Sequence, residues 1–460
     1  MTADLKAFYR AANPSKTLDV TKEEDKKYYI DFSPVRGGQI IKELENAITW
    51  ADEPTCQLFT GHVGCGKSTE LLRLKAQLEE EQYHVVYFDS SADMEMSDVD
   101  VSDILLVIAR WIDKSLTETE QIRPPKTAKF QEVFQGMVSL LQREVDLSIE
   151  ATVPGGKVNF DSTKGFALEA MGIGKITAKL KDSPELRSKL RGILDKQTDR
   201  VIDAINQELI APGVAQLQQK GKKGLVIIVD SLDKIEQKPK PWGRPQHEYL
   251  FIDRAEQLKA LKCHVIYTMP LSLRFSNDFT GSLMQKFSPP KVLPMVPIQH
   301  KDGRRHEEGI ELLQRMILSR AFPDLNINQT VGNGTAKFSA QLIEVFGDFD
   351  TLERLCYASG GHIRVLLRLL QEWIMRQRVL PLGRTVLEEV IAASRNNQLA
   401  AIEEHEWSLL RQVKQQRRVT GADGYQTLLR SLFVYEYCDQ GSFWNDVNPI
   451  LKEAEELSYG

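Results

Sequence analysis

Eight consecutive residues, Gly61-His62-Val63-Gly64-Cys65-Gly66-Lys67-Ser68, hold the spacing GxxxxGK[ST]. Glycines let the backbone curl until successive N–H groups point inward, and such a row of donors at a helix start attracts phosphate. In that arrangement Lys67 bridges the outer phosphates of a nucleotide and the Ser68 hydroxyl ligates Mg2+. Residue frequencies give the pattern by chance in roughly 1–2% of chains of this length. The run from Gly61 to Ser68, with Thr69 after it, therefore predicts a Mg-ATP site.

A metal beside phosphates also needs a carboxylate at the tip of a neighbouring strand. Leu225-Val226-Ile227-Ile228-Val229 ending in Asp230 meets that need, so Ser68 and Asp230 are the expected metal ligands. Asp233, three residues on, has two readings. It orients the attacking water or an outer-shell water of the metal, or it is simply a helix N-cap.

These residues need a sheet to carry them. Cys56-Gln57-Leu58-Phe59-Thr60 reads as a buried strand running into the loop, and a helix with Leu71, Leu72, Leu74 and Leu78 follows. Further apolar runs are His84-Val85-Val86-Tyr87-Phe88-Asp89, His264-Val265-Ile266-Tyr267-Thr268 and Val292-Leu293-Pro294-Met295-Val296-Pro297. They alternate with helical stretches near 38–50, 104–112, 184–217 and 249–261. Such alternation predicts an α/β fold, a parallel sheet with helices on both faces. A period-two stretch at 146–181, punctuated by Pro154-Gly155-Gly156, predicts a β-rich insert in that domain.

After about residue 300 the strands stop. The expected organisation is a polar leader at 1–35, a nucleotide-binding core at 36–300, a helical lid at 301–380 and a winged-helix domain at 381–460. The last assignment rests on helices followed by the alternating pair Phe433-Val434-Tyr435-Glu436-Tyr437 and Phe443-Trp444-Asn445-Asp446-Val447. Hydrophobic residues at 42% and charged residues at 27% fit a globular chain of 460 residues with more than one core. A net charge of −5 argues against wholesale nucleic-acid binding. Five scattered cysteines form no CxxC pair, and eight dispersed histidines show no zinc spacing. Met1-Thr2-Ala3-Asp4-Leu5-Lys6 lacks the apolar core of a signal peptide, and no apolar run reaches the ~20 residues of a membrane span. A cytoplasmic protein is expected, with no membrane partner.

Gly61 to Thr69, the run Val229-Asp230-Ser231-Leu232-Asp233, Thr268 and Ser359-Gly360-Gly361-His362-Ile363-Arg364 together resemble the AAA+/STAND branch of P-loop ATPases. Within it they look most like origin-recognition ATPases and NACHT-like signalling ATPases. The resemblance spans roughly residues 30 to 380 and the expected winged helix. It implies that Thr268 senses the terminal phosphate and that Arg364 brings a lid cation onto the phosphates. It also implies that the Val35-Arg36-Gly37 turn, through Arg36, contacts adenine, with Tyr29 or Ile30 packing on the base. Arg274 is the candidate arginine finger offered to a neighbouring subunit.

Two departures qualify the likeness. AAA+ motors carry Glu directly after the metal-binding Asp, whereas this chain has Ser231, and NACHT-like proteins often show Glu where it has Lys234. Slow hydrolysis is the expectation. No repeat array follows the expected winged helix, so sensing falls to the insert, the leader or a separate protein. The leading reading is an ATP-dependent conformational switch controlling a signalling or antiviral-defence complex. Its partners would be further copies of the chain or a separately encoded effector. The alternative is a DNA-binding AAA+ ATPase of initiator, transposition-regulator or remodelling type. Against it, the helix Tyr425-Gln426-Thr427-Leu428-Leu429-Arg430 offers one cation and the following turn is acidic, although Arg411, Lys414, Arg417 and Arg418 form a basic cluster upstream.

Overall fold

The computed structural model describes residues 3–122, 180–325, 327, 338–421 and 424–457. The insert expected at 146–181 lies outside them except for its last two residues. Five parallel strands form the central sheet: β1 (Cys56–Gly61), β2 (Tyr83–Asp89), β3 (Gly224–Asp230), β4 (His264–Met269) and β5 (Lys291–Leu293). Their spatial order is β2-β3-β4-β1-β5. Every residue of β3 is buried, as a strand covered on both faces requires. Its side chains divide by parity. Leu225, Ile227 and Val229 pack toward Ile104, Leu105, Ile108 and Ile112 of the Val101–Thr119 helix. Val226 and Ile228 pack with Ile41, Leu44 and Ile48 of Ile40–Thr49 and with Leu71, Leu74 and Leu78 of Lys67–Glu80.

Three elements depart from expectation. β5 stops at Leu293 because Pro294 has no N–H to give the ladder, and Met295 N–H bonds instead to the Glu436 carbonyl (3.0 Å). The helix expected over 184–217 is broken into Pro184–Leu194, Thr198–Ile205 and Ala211–Gln219, with a π turn at Asn206–Ile210 ahead of Pro212. The stretch at 249–261 likewise divides into a π turn, Tyr249–Asp253, and a short helix, Ala255–Lys259.

The leader is not a free tail. Its Leu5–Ala11 helix buries Phe8 edge-on against Phe346 (6.4 Å), and Ile30, Phe32 and Val35 join the core of the helices at Glu307–Ala321, Phe349–Ser359 and Ile363–Gln377. At the C-terminus, β6 (Val434–Asp439) and β7 (Ser442–Val447) form an antiparallel hairpin. Its turn, Gln440-Gly441, has φ of 47° and 80°, the left-handed pair a two-residue connection needs. Tyr435, Tyr437 and Trp444 share one core with Phe59, Leu293 and Met295, so the hairpin sits against the sheet beside the end of β1. No described helix is long and apolar enough to cross a membrane, and all five cysteines are free.

Candidate functional site

β1 delivers the chain to the glycine-rich loop at the C-terminal edge of the sheet, and the Lys67–Glu80 helix leaves from it. Gly66 occupies the cap position with φ 107°, a conformation that L side chains rarely adopt, so the backbone can turn straight into the helix. Gly64 has φ 93°, and a Cβ there would lie 2.8 Å from His362 Cε1 and 2.9 Å from Arg364 Cβ. The lid helix, Ile363–Gln377, therefore lies directly over the loop.

Lys67 is 4% exposed. Its ammonium donates to the carbonyls of Gly61 and His62 (2.8 Å each) and pairs with Asp233 Oδ2 at 2.8 Å. Burial pushes this ammonium down, but the groups around it, Asp233 foremost, together hold it above its ordinary range. The Asp230 carboxylate ends β3. Its Oδ1 accepts the Ser231 N–H (2.6 Å) and its Oδ2 accepts the Tyr87 hydroxyl (2.8 Å), with the Ser68 hydroxyl as a further partner. Burial, then the Asp233 charge, raises the Asp230 carboxyl above the ordinary range. β3 is not next to β1, since β4 lies between, yet Ser68 and Asp230 still meet.

A cleft opens here. Val63, Gly64, Gly66, Lys67, Ser68 and Thr69 line it from the loop, Asp89, Ser231, Asp233 and Lys234 from the strand ends, and Ile363, Arg364 and Leu367 from the lid. Pro14, Ser15, Lys16 and Thr17 of the leader close the remaining side, and Leu18 N–H reaches the Thr69 hydroxyl (3.4 Å).

Several expected residues stand elsewhere. Thr268 does not line the cleft. It is fully buried, accepting the Leu232 N–H (2.9 Å) and donating to the Val229 carbonyl (3.3 Å), because its strand abuts β3 and its hydroxyl ties down the turn that carries Asp233. Arg36 is buried beneath the loop, where its Nη2 donates to the Cys65 carbonyl (2.9 Å). Burial lowers that guanidinium below its usual range. Tyr29 donates to Glu70 (3.2 Å) and Ile30 joins the lid core, so neither reaches the cleft. Arg274 pairs with the buried Glu436 and lies over the Phe443 ring (4.6 Å), so within the chain its guanidinium is already engaged. Cys65 is buried, its thiol against the Leu293 carbonyl (3.8 Å).

His62 faces the hairpin, where Nε2 accepts the Glu436 N–H at 2.9 Å and the ring meets Tyr435 edge-on. Val63 O accepts from His362 Nε2 (3.0 Å), and Gly64 O accepts the Arg364 N–H (3.2 Å). Tyr437 donates to the Gly360 carbonyl (2.8 Å). Burial holds His362 down at about 3, and burial with His362 and Lys67 nearby holds His62 well below 6.5. Sequence reading missed Tyr87, Asp89, residues 14–17 and these loop-to-hairpin contacts. The only local signal for the first two was a second strand ending, like β3, in an aspartate.

No family model and no curated protein matches this chain. Fifteen solved chains match in structure. One is a Walker-type ATPase of Pyrococcus abyssi, 12% identical over 96% of this chain and 98% of that one, with a TM-score of 0.39. Another is the Orc1 protein of Aeropyrum pernix, solved in complex with DNA, 13% identical over 98% and 97% of the two chains, with a TM-score of 0.36. Likeness at that level bears on neither activity nor partners. The sheet order, the loop between β1 and its helix, and Asp230 at the tip of β3 make this an α/β protein with a P-loop frame.

Proposed function

We propose that the chain is a Mg-ATP-dependent ATPase of AAA+ type in which nucleotide occupancy governs the docking of the C-terminal hairpin on the phosphate loop. The observation that carries this reading is that three successive loop residues are bonded to the C-terminal half: His62 to Glu436, Val63 to His362 and Gly64 to Arg364. Phosphates entering the loop act on the same backbone that holds lid and hairpin.

The loop N–H groups at the start of a 14-residue helix would receive the β-phosphate. One hydroxyl and one carboxylate, Ser68 and Asp230, form the hard-oxygen pair that suits Mg2+ shared with substrate phosphates, and the bound ion would neutralise phosphate charge. An ammonium has three donors, and all three on Lys67 are taken. A terminal phosphate therefore competes with Asp233 for Lys67. Arg364, whose exposed side chain lines the cleft, is positioned to meet that phosphate while its own N–H stays on Gly64. Ser231 follows the metal carboxylate and cannot serve as a strong base, so the usual position for that group is unfilled; turnover is slow and the ATP state long-lived.

The finer reading is a STAND-type switch that assembles a signalling or defence complex from further copies or a separate effector. Hydrogen exchange at 434–439, and mass in solution, with ADP and with a non-hydrolysable ATP analogue, test it together. The expected result is faster exchange and a larger mass with the analogue. Exchange and mass identical in both nucleotides would remove the switch. Submicromolar duplex binding with a steep salt slope would replace it with the DNA-handling alternative.

A further inference from the structure

Hydrolysis needs an acceptor for the proton of the attacking water, and the position after Asp230 does not supply one. Ser231 is an alcohol, held at φ 69°. Both oxygens of Asp230 already accept hydrogen bonds, from Ser231 N–H and Tyr87. Asp233 is ion-paired to Lys67. One other carboxylate lines the cleft, Asp89 at the tip of β2.

Asp89 is the direct register partner of Asp230 on the adjacent parallel strand. Neighbouring strands lie about 4.8 Å apart, which sets Asp89 one strand outward from the metal carboxylate at the same height. Its two oxygens have different surroundings. Oδ1 caps the short helix Ser90–Asp93, accepting the Ser91 N–H (2.9 Å) and the Ser91 hydroxyl (2.6 Å), and these fix the plane of the group. Oδ2 is ion-paired with Lys234 Nζ at 3.8 Å, too far for a direct hydrogen bond, the Ser231 hydroxyl lies beside the carboxylate, and the side chain is 47% exposed. The carboxylate is thus oriented through Oδ1, and Oδ2, on the half-exposed side of the group, keeps a lone pair for a water.

We infer that Asp89 is the general base of the site, taking the proton of the attacking water through Oδ2. This rests on the ATPase reading above. In the step, the water oxygen forms a bond to the γ-phosphorus while its proton passes to Asp89. The bond from that phosphorus to the bridging oxygen breaks, and its electron pair leaves on ADP. Asp89 later returns the proton to solvent.

Asp89→Asn tests the assignment cleanly, because Asn caps a helix start as well as Asp and the Ser90–Asp93 turn survives. Turnover is expected to fall by about 10²–10⁴-fold, the contribution of a positioned base. Mg-ATP affinity should stay within about threefold of the parent and the melting temperature should not move. Quenched complexes should hold ATP where the parent holds ADP, and Asp89→Glu should recover part of the rate. Turnover of Asp89→Asn within about threefold of the parent overturns the inference. So does a loss of Mg-ATP affinity that parallels the loss of rate, which makes Asp89 a binding group. If Asp233→Asn stops hydrolysis and Asp89→Asn does not, the base is Asp233. A parent protein that neither binds nor cleaves Mg-ATP would instead end the ATPase reading, and Asp89 would fall with it.

Discussion

His62→Ala cuts the contact between loop and hairpin at one atom. Its Nε2 is the acceptor for the Glu436 N–H, and both residues are 2% exposed, so no water stands ready to replace it. Orphaning a buried donor costs about 1–3 kcal/mol, and losing the edge-on contact with Tyr435 about 0.5–1.5 kcal/mol. Together they weaken docking by about 1.5–4.5 kcal/mol, which at 1.36 kcal/mol per decade is about 10- to 2,000-fold in the docking equilibrium. Hydrogen exchange of amides 434–439 reads that equilibrium directly. Acceleration in that range is expected there, with β2 and β3 amides unaffected. Tyr435→Phe is the control: its hydroxyl is buried with no hydrogen-bond partner, so losing it should leave exchange unchanged or slower. Protection at 434–439 that survives His62→Ala would show that apolar packing alone seats the hairpin, and the loop would lose its claim to control it.

Docking should also depend on pH in a defined direction. His362 sits at about 3 and His62 well below 6.5 when buried, so each takes up a proton more readily once undocked. Their contribution is complete above 6.5 and declines as pH falls toward 3, by up to about 1.4 kcal/mol per unit for each ring, and a docking equilibrium flat from pH 7 to 4.5 would contradict this. Lys67→Ala should abolish nucleotide binding and also lower the melting temperature, since Asp233 is left buried without its partner, a loss of about 3–5 kcal/mol. Adding Asp233→Asn should restore much of that stability but not the binding, and a double mutant no more stable than the single would refute the pairing. Gly64→Ala combines an unfavourable φ with atoms 2.8 and 2.9 Å away and should cost about 1–3 kcal/mol, read as a lower melting temperature and a displaced lid.

What was legible in the sequence was local. The loop could be read because its chemistry lies in eight adjacent residues, and β3 because an apolar run ending in Asp needs no partner to be recognised. The hairpin declared itself by period-two alternation and a Gly in its turn. What failed depended on register or on distant neighbours. Whether the Thr268 hydroxyl meets phosphate or backbone is set by how β4 aligns with β3. Arg36 was placed near the right loop, but nothing local says that Cys65 presents its carbonyl to it. Asp89 carried no motif, and only the parallel pairing of β2 with β3 brings it level with Asp230. The leader read as polar because its buried apolar residues are few and scattered, and Phe8 among them finds its partner, Phe346, far along the chain.

The hydrogen bond from Glu436 to His62 joins residues 374 positions apart. At synthesis rates of about 5–20 residues per second, the phosphate loop leaves the ribosome about 20–75 s before the strand that covers it. Through that interval the ring nitrogen of His62 faces solvent, as do the carbonyls of Val63 and Gly64 until His362 and Arg364 are made, while the loop, its helix and then β3 already exist. Each new molecule therefore passes through a stage in which the loop is uncovered. On the proposed ATPase reading, the docked form would be assembled around whatever the loop had captured by then, and a pool of freshly made protein would inherit its first state from the nucleotide ratio at the time of translation.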